Sequence, residues 1–388
     1  MKLKQLPNDF IVEEIPSIEI SKDKKEHKIF ILEKKEIDTF DAIRLISRYL
    51  KIPLYEIGYA GLKDKHALAK QYISIPSKYN IGSFTIDNLN MTFLGFYNKK
   101  IKIGDLKGNK FTITVRNIKS RKMDSILEKA NSIQLFGIPN YFDSQRFGSV
   151  YNNDFIAKHV IKKDYEKAVK IYLTRYHKSE KKQVKNDKRA ILTNWSNIEN
   201  ISIRNKIFQK IIQAYLKNKN WLDAYKKIPP NLREMFINSY QSYLWNECVK
   251  ELFRICINGR SLYSIEYAVG SLLFYKDLSD DEMQKINTDF PTLSETVMLS
   301  DFEKKIVTRL LVNEGINLQD LHIKSCTGNF FKTRKRRITV IPDNFFISNP
   351  MEDELNYING KPQNKIILSF SLPKGSYATL ITKKLFGH

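Results

Sequence analysis

Cysteine is scarce in this 388-residue chain, with only Cys248, Cys256 and Cys326. An odd, widely spaced set without a C-x-x-C pair argues against a disulfide framework and against a cysteine-based zinc site. Cys248 and Cys256 are expected to be small buried residues in a reducing cytoplasm. Histidine is sparse too: six residues, no H-x-x-x-H pair, and so no candidate metal cluster. Long apolar runs are missing, since none approaches the ~18–20 residues of a membrane span. Asp9, Glu13, Glu14 and Glu19 interrupt Met1–Ile20, so no signal-peptide core is expected. Acidic residues are in deficit, with 42 Asp and Glu against 65 Lys and Arg.

That deficit leaves a formal charge of +23. Such a field draws polyanions, nucleic acid first and an anionic membrane surface second. The chain is also rich in Ile and Asn and poor in Ala, a coding bias to which part of the lysine excess belongs. Hydrophobic residues at 42% and aromatics at 12% suffice for a sizeable core and exclude disorder over most of the chain. The length suggests two domains.

The first half reads as mixed α and β. Lys28–Leu32 suits a buried strand. Asp38 can cap a helix running to Leu50, with Phe40, Ile43, Ile46 and Leu50 at helical spacing. Phe111–Arg116 alternates as a half-buried strand, and Met123–Leu135 reads as a helix ended by Gly137. After Tyr151 the chain becomes Lys-rich and helical. Lys178–Arg189 reads as a solvated loop or helix face. Further helices are expected around Arg204–Lys217, Leu232–Ile255 and Asp301–Asn313. Lys365–Leu372 returns to strand alternation. An α/β unit is thus interrupted by a largely helical insert and completed at the C-terminus.

Four constellations could carry chemistry. In Gly58–Tyr72, Asp64 lies between Lys63 and Lys65, with His66 next. Cations hold a carboxylate ionised, which suits a nucleophile or base, and they attract phosphate. The plainer reading is a surface acid in a basic loop. Gly137–Gly148 sets Tyr141, Phe142 and Phe147 among Asn140, Gln145 and Arg146. Aromatics stack unpaired bases, and amides match a uracil edge; an aromatic-packed corner is the plainer reading. In Leu372–Thr379, Ser376 could cap a following helix and form an anion site with Lys374. An ordinary strand-to-helix turn is equally consistent. Lys332–Arg337, with Arg334, Arg336 and Arg337, is the densest cationic run and suits phosphate contact. A solvated hinge is its alternative.

The first three, in this order, resemble the TruD family of pseudouridine synthases. Gly61-Leu62-Lys63-Asp64-Lys65-His66-Ala67 resembles that family's G-x-K-D-x-x-A segment. Asn140-Tyr141-Phe142-Asp143-Ser144-Gln145-Arg146-Phe147-Gly148 resembles its N-Y-F-G-x-Q-R-F-G signature. Asn8–Glu14, Leu106–Phe111 and Leu372–Thr379 also match. Ala69 stands where the family commonly has Thr, and Asp143 where it has Gly.

The resemblance implies an α+β fold: a pseudouridine-synthase core of mixed, largely antiparallel sheet with helices, carrying an inserted, helix-rich α/β TRUD domain. The expected division is 1–151 with 339–388 for the core and 152–338 for the insert. It implies isomerisation of a uridine in tRNA, at position 13 in bacterial members, to pseudouridine. Asp64 would be the catalytic carboxylate, as nucleophile or base, after the uridine is flipped out. Lys4 would pair with it, Phe10 and Phe142 would flank the base, and Asn140 would hold it. Asp143 would add charge, paired to Arg146. Lys63, Lys65, His66, Arg146, Lys374, Arg334, Arg336 and Arg337 would contact RNA. No cofactor, metal or membrane is expected, and a cytoplasmic monomer acting on tRNA is. The rival is a non-catalytic RNA-binding protein of the same fold, which would have no use for Asp64.

Overall fold

The computed structural model describes every residue except Ser179, Asn329 and His388, and describes Ser325 and Cys326 without their side chains. Ser179 in the charged run and the thiol of Cys326 therefore lie outside the described residues. The chain forms two units, Met1–Ile138 with Val340–Phe386, and Pro139–Thr339. Asn140–Phe147 packs within the second unit against the helix Pro230–Cys256.

The first unit is built on a ten-stranded sheet. Its N-terminal strands are β1 (Phe10–Pro16), β2 (His27–Lys35), β3 (Gly58–Tyr59), β4 (Leu68–Pro76), β5 (Phe84–Ile86), β6 (Leu89–Tyr97) and β7 (Leu106–Ile118). The strands Asp343–Ile347, Met351–Ile358 and Lys361–Pro373 complete it. The spatial order is Asp343–Ile347, Lys361–Pro373, β7, β1, β4, β2, β6, β5. Met351–Ile358 also pairs with Lys361–Pro373, and β3 with β4.

Alternation drives the burial. Phe111, Ile113 and Val115 of β7 are buried, as are their partners Ile366, Leu368 and Phe370. Gly108 of β7 sits where a Cβ would strike the Leu372 carbonyl, so only glycine admits this close strand approach. Helix α1 (Thr39–Leu50) starts at Asp38, whose carboxylate accepts from the Asp41 N–H at 2.9 Å. Its Ala42, Ile43 and Ile46 pack on Phe30 and Leu32 of β2, Ile73 and Ile75 of β4 and Met91 of β6. Phe40 of the same helix is half exposed. Helix α2 (Met123–Phe136) ends at Gly137 with φ 68°, and the Gly137 carbonyl accepts from the buried Lys384 at 3.0 Å.

One pairing positions the site. β1 and β4 run parallel, with Ile11 opposite Leu68; every other described pairing in this sheet is antiparallel. Parallel neighbours begin at the same end of a sheet. The residues entering β1 and those entering β4 therefore meet, although they are far apart in sequence.

The second unit is largely helical. Its core element is the helix Pro230–Cys256, in which Phe236, Tyr240, Leu244, Trp245, Cys248, Val249 and Phe253 are buried. Burial on several sides marks a core helix rather than a surface one. Cys248 is buried as expected, while Cys256 at the helix end is partly exposed. The charged run after Lys178 is more ordered than its composition suggests. The helix Lys182–Thr193 covers most of it, and Lys188 is buried, donating to the Arg175 carbonyl at 2.7 Å and pairing with Glu180 at 3.0 Å.

Candidate active site

The segment entering β1 is tied down by Arg116 of β7. The Lys2 N–H donates to the Arg116 carbonyl at 2.8 Å, and the Arg116 N–H donates back at 3.0 Å. The Arg116 guanidinium binds both Asp9 oxygens, at 3.0 and 3.1 Å, and reaches Asp353 and Glu354, each at 3.0 Å. Asp9 in turn accepts from the Leu6 N–H at 2.8 Å. Between these anchors Lys4 takes a left-handed backbone, φ 54°. A non-glycine residue there costs ~1–2 kcal/mol, and strain of this kind recurs at functional sites.

The Lys4 ammonium lies 4.2 Å from the centroid of the Phe10 ring and is paired with the Asp64 carboxylate. Phe10 is buried at the start of β1, edge-on to Phe111 at 6.2 Å. The other Asp64 oxygen accepts from the His66 N–H at 3.2 Å. Burial would raise the Asp64 pKa, but the Lys4 hydrogen bond and charge, with His66, outweigh it and hold the carboxyl below its usual range. The carboxylate is about a third exposed. It is thus ionised, oriented and open to a ligand.

Lys63 was expected among the RNA contacts, and its position serves a different end. It is buried, and its ammonium pairs with the buried Glu14 of β1. Glu14 also accepts from the Tyr72 N–H at 3.3 Å. Lys63 therefore fastens the loop to the sheet. Lys65 and His66 are exposed. Lys374 is exposed as well, donating to the Gly104 carbonyl at 3.0 Å. The Ser376 hydroxyl is buried and makes no hydrogen bond among the described residues, so it does not cap the helix Ala378–Phe386.

In the second unit Asn140, Phe142, Arg146 and Arg336 form one cluster. The Asn140 amide donates to the Arg337 carbonyl at 3.1 Å and accepts from Arg336 at 3.0 Å. The Asn140 carbonyl accepts from Arg336 Nε at 2.9 Å. This fixes the Arg336 guanidinium 4.1 Å from the Phe142 ring centroid and 5.2 Å from that of Trp245. The Asn246 amide grips the Phe142 backbone at both ends, at 2.9 and 2.8 Å. Tyr141 is fully buried, its hydroxyl donating to the Leu273 carbonyl at 3.0 Å. The Arg146 N–H donates to the Asp143 carbonyl at 2.8 Å, and Arg146 Nε donates to Ser242 at 3.0 Å. Strand pairing sets Arg336 opposite Phe290 and partly buried, while Arg334 and Arg337 on either side are exposed.

Sequence reasoning missed Arg116, Lys34 and Thr39. Asp9 and Glu14 lie within the Asn8–Glu14 motif, but no local pattern tells which buried partner an acid will find. Among the described residues no three His, Cys, Asp or Glu side chains converge as a metal donor set.

The chain resembles known proteins over its whole length. The family model described as tRNA pseudouridine synthase D (TruD) matches residues 1–385. A Methanocaldococcus jannaschii protein named "Probable tRNA pseudouridine synthase D 2" is 43% identical, over 100% of this chain and 92% of its own. The Aquifex aeolicus tRNA pseudouridine synthase D is 30% identical, over 100% of this chain and 98% of its own. A crystal structure from Methanosarcina mazei, of a candidate tRNA pseudouridine synthase D, superposes with a TM-score of 0.74 at 27% identity. It covers 99% of this chain and 92% of that one.

Proposed function

The chain belongs to the TruD family of tRNA pseudouridine synthases, and on that premise we propose that it isomerises the uridine at position 13 of tRNA, with Asp64 as the catalytic carboxylate. The observation that carries the assignment is the setting of Asp64: ionised by Lys4, oriented by the His66 N–H and left accessible. The reaction breaks the N1–C1′ bond, turns the uracil and joins C5 to C1′. The C5 proton leaves and N1 gains one, so the change is an isomerisation. Whether the carboxylate attacks C1′ or takes a proton from C2′, it must be charged and held still. The Lys4 ion pair keeps it charged, and that pair with the His66 N–H holds it still.

A uridine stacked in folded tRNA must leave its stack, at a cost of a few kcal/mol. Phe10, buried beside Lys4, is proposed to back the apolar side of the pocket for the extruded base. Phe142 and Asn140 are proposed to serve the base as well, Asn140 by holding Arg336 against the Phe142 ring. Lys65, His66, Arg146, Lys374, Arg334 and Arg337 are proposed to meet the RNA. The position within the tRNA rests on the likeness to bacterial members, and a cytoplasmic monomer is the working unit proposed.

The test is an unmodified tRNA transcript incubated with the protein and with Asp64→Asn, with pseudouridine mapped chemically. The wild type should convert one uridine, and the variant should lose ~10³-fold in rate. A wild type that binds tRNA and leaves every uridine unchanged would be a non-catalytic RNA binder. A fully active Asp64→Asn would remove the catalytic role of this residue.

A further inference from the structure

Asp64 is held from behind by two side chains of one short segment. Lys34, at the end of β2, is fully buried. Its ammonium donates to the Asp64 backbone carbonyl at 2.8 Å and to the Ile37 carbonyl at 2.6 Å. Thr39, the first residue of α1, is buried too. Its hydroxyl accepts from the Lys63 N–H at 2.9 Å and donates to Gln71 Oε1 at 3.0 Å. Two peptide groups of the Asp64 loop are therefore anchored separately, Leu62–Lys63 through the Lys63 N–H and Asp64–Lys65 through the Asp64 C=O.

A buried ammonium is expensive unless it is hydrogen-bonded. Burial drives the Lys34 pKa down to about 8, against the opposing pull of Asp64 and Asp38. An apolar side chain would fill the same space more cheaply, and a lysine there is explained by what it holds. We propose that Lys34 and Thr39 are positioning residues for the isomerisation, clamping the backbone of the Asp64 loop so that the carboxylate meets the ribose in one geometry. The inference rests on the reading that Asp64 is the catalytic group.

The clamp touches neither the carboxylate nor the exposed cations of the loop. Its loss acts on the chemical step and leaves tRNA binding unchanged. Displacements of ~1 Å in a catalytic group cost up to ~10²-fold in rate. The experiment compares Thr39→Val, Thr39→Ser and Lys34→Met in single-turnover assays on a tRNA transcript, with affinity measured in parallel. Thr39→Val keeps the shape and removes the hydroxyl. It should lose about ten-fold in rate, with tRNA affinity within about two-fold of wild type. Thr39→Ser keeps the hydroxyl and should recover most of the rate. Lys34→Met should fall ten- to hundred-fold in rate at unchanged affinity.

Full rates for Thr39→Val and Lys34→Met would overturn the proposal. So would a serine variant as impaired as the valine one, since packing would then be the cause. Loss confined to affinity would overturn it too. The threonine pair decides the matter even if Lys34→Met fails to fold. A wild type without activity, or an active Asp64→Asn, would instead defeat the catalytic reading itself.

Discussion

The Lys4–Asp64 pair fixes how the reaction responds to pH. The Asp64 carboxyl is held below its usual 3.8 because Lys4 and the His66 N–H outweigh its burial. A depressed carboxyl stays ionised as pH falls, so the wild-type rate should have no acid limb from Asp64 above about pH 4. Lys4→Met removes the hydrogen bond and the charge together, and burial then dominates. The carboxyl pKa rises, and the acid limb of the single-turnover rate should move to higher pH. A limb in the same place for both proteins would show that Lys4 does not set the ionisation. The Lys4–Asp64 pairing was legible in the sequence because Asp64 sits in a short motif and Lys4 stands at a set spacing before the Asn8–Glu14 motif. The role of Lys63 was not. A cation beside an acid looks like a phosphate contact until Glu14, 49 residues away, is seen to claim it. Burial is a property of the fold, and the local sequence does not report it.

At the scale of elements, the parallel contact of β1 and β4 brings the entering loops together. A short apolar run made β2 readable, period-two alternation did so for β7 and Lys361–Pro373, and Asp38 and Gly137 marked the limits of α1 and α2. Strand order was not readable, since it depends on which apolar faces choose one another. Nor was the buried end of Lys384, whose neighbours look like an ordinary basic helix terminus. Burial pushes its pKa down to about 7 from 10.5. Between those values the unfolded chain holds a proton that the folded one has released. Stability from this group therefore rises with pH through that window. Lys384→Met should abolish that rise, which is on the order of a few kcal/mol. Urea unfolding of both proteins at pH 7, 8 and 9 measures it, and parallel pH profiles would refute it. The neutral amine still donates to Gly137, so α2 keeps its C-terminal partner as the proton leaves.

For the whole molecule, the question is how much of the +23 charge grips RNA. Several prominent cations are internal fasteners: Lys34, Lys63, Arg116, Lys188 and Arg336 are committed to carbonyls, carboxylates or rings. Arg334 and Lys335, on the strand Lys335–Arg337 or its entry, are exposed. Each phosphate that a cation neutralises releases counterions, so affinity falls as salt rises, in proportion to the number of phosphates met. Reversing Arg334 and Lys335 to Glu should weaken tRNA binding about ten-fold or more at low salt. The slope of log affinity against log salt should fall by about one for each phosphate no longer neutralised. The rate at saturating tRNA should hold, because neither residue lies in the Lys4–Asp64 cluster. Reversing Lys34 or Lys63 would test folding instead, since both are buried. If the double reversal leaves affinity and salt slope as they were, this basic run belongs to the compositional excess, and the grip on RNA lies with Lys65, His66 and the other exposed cations.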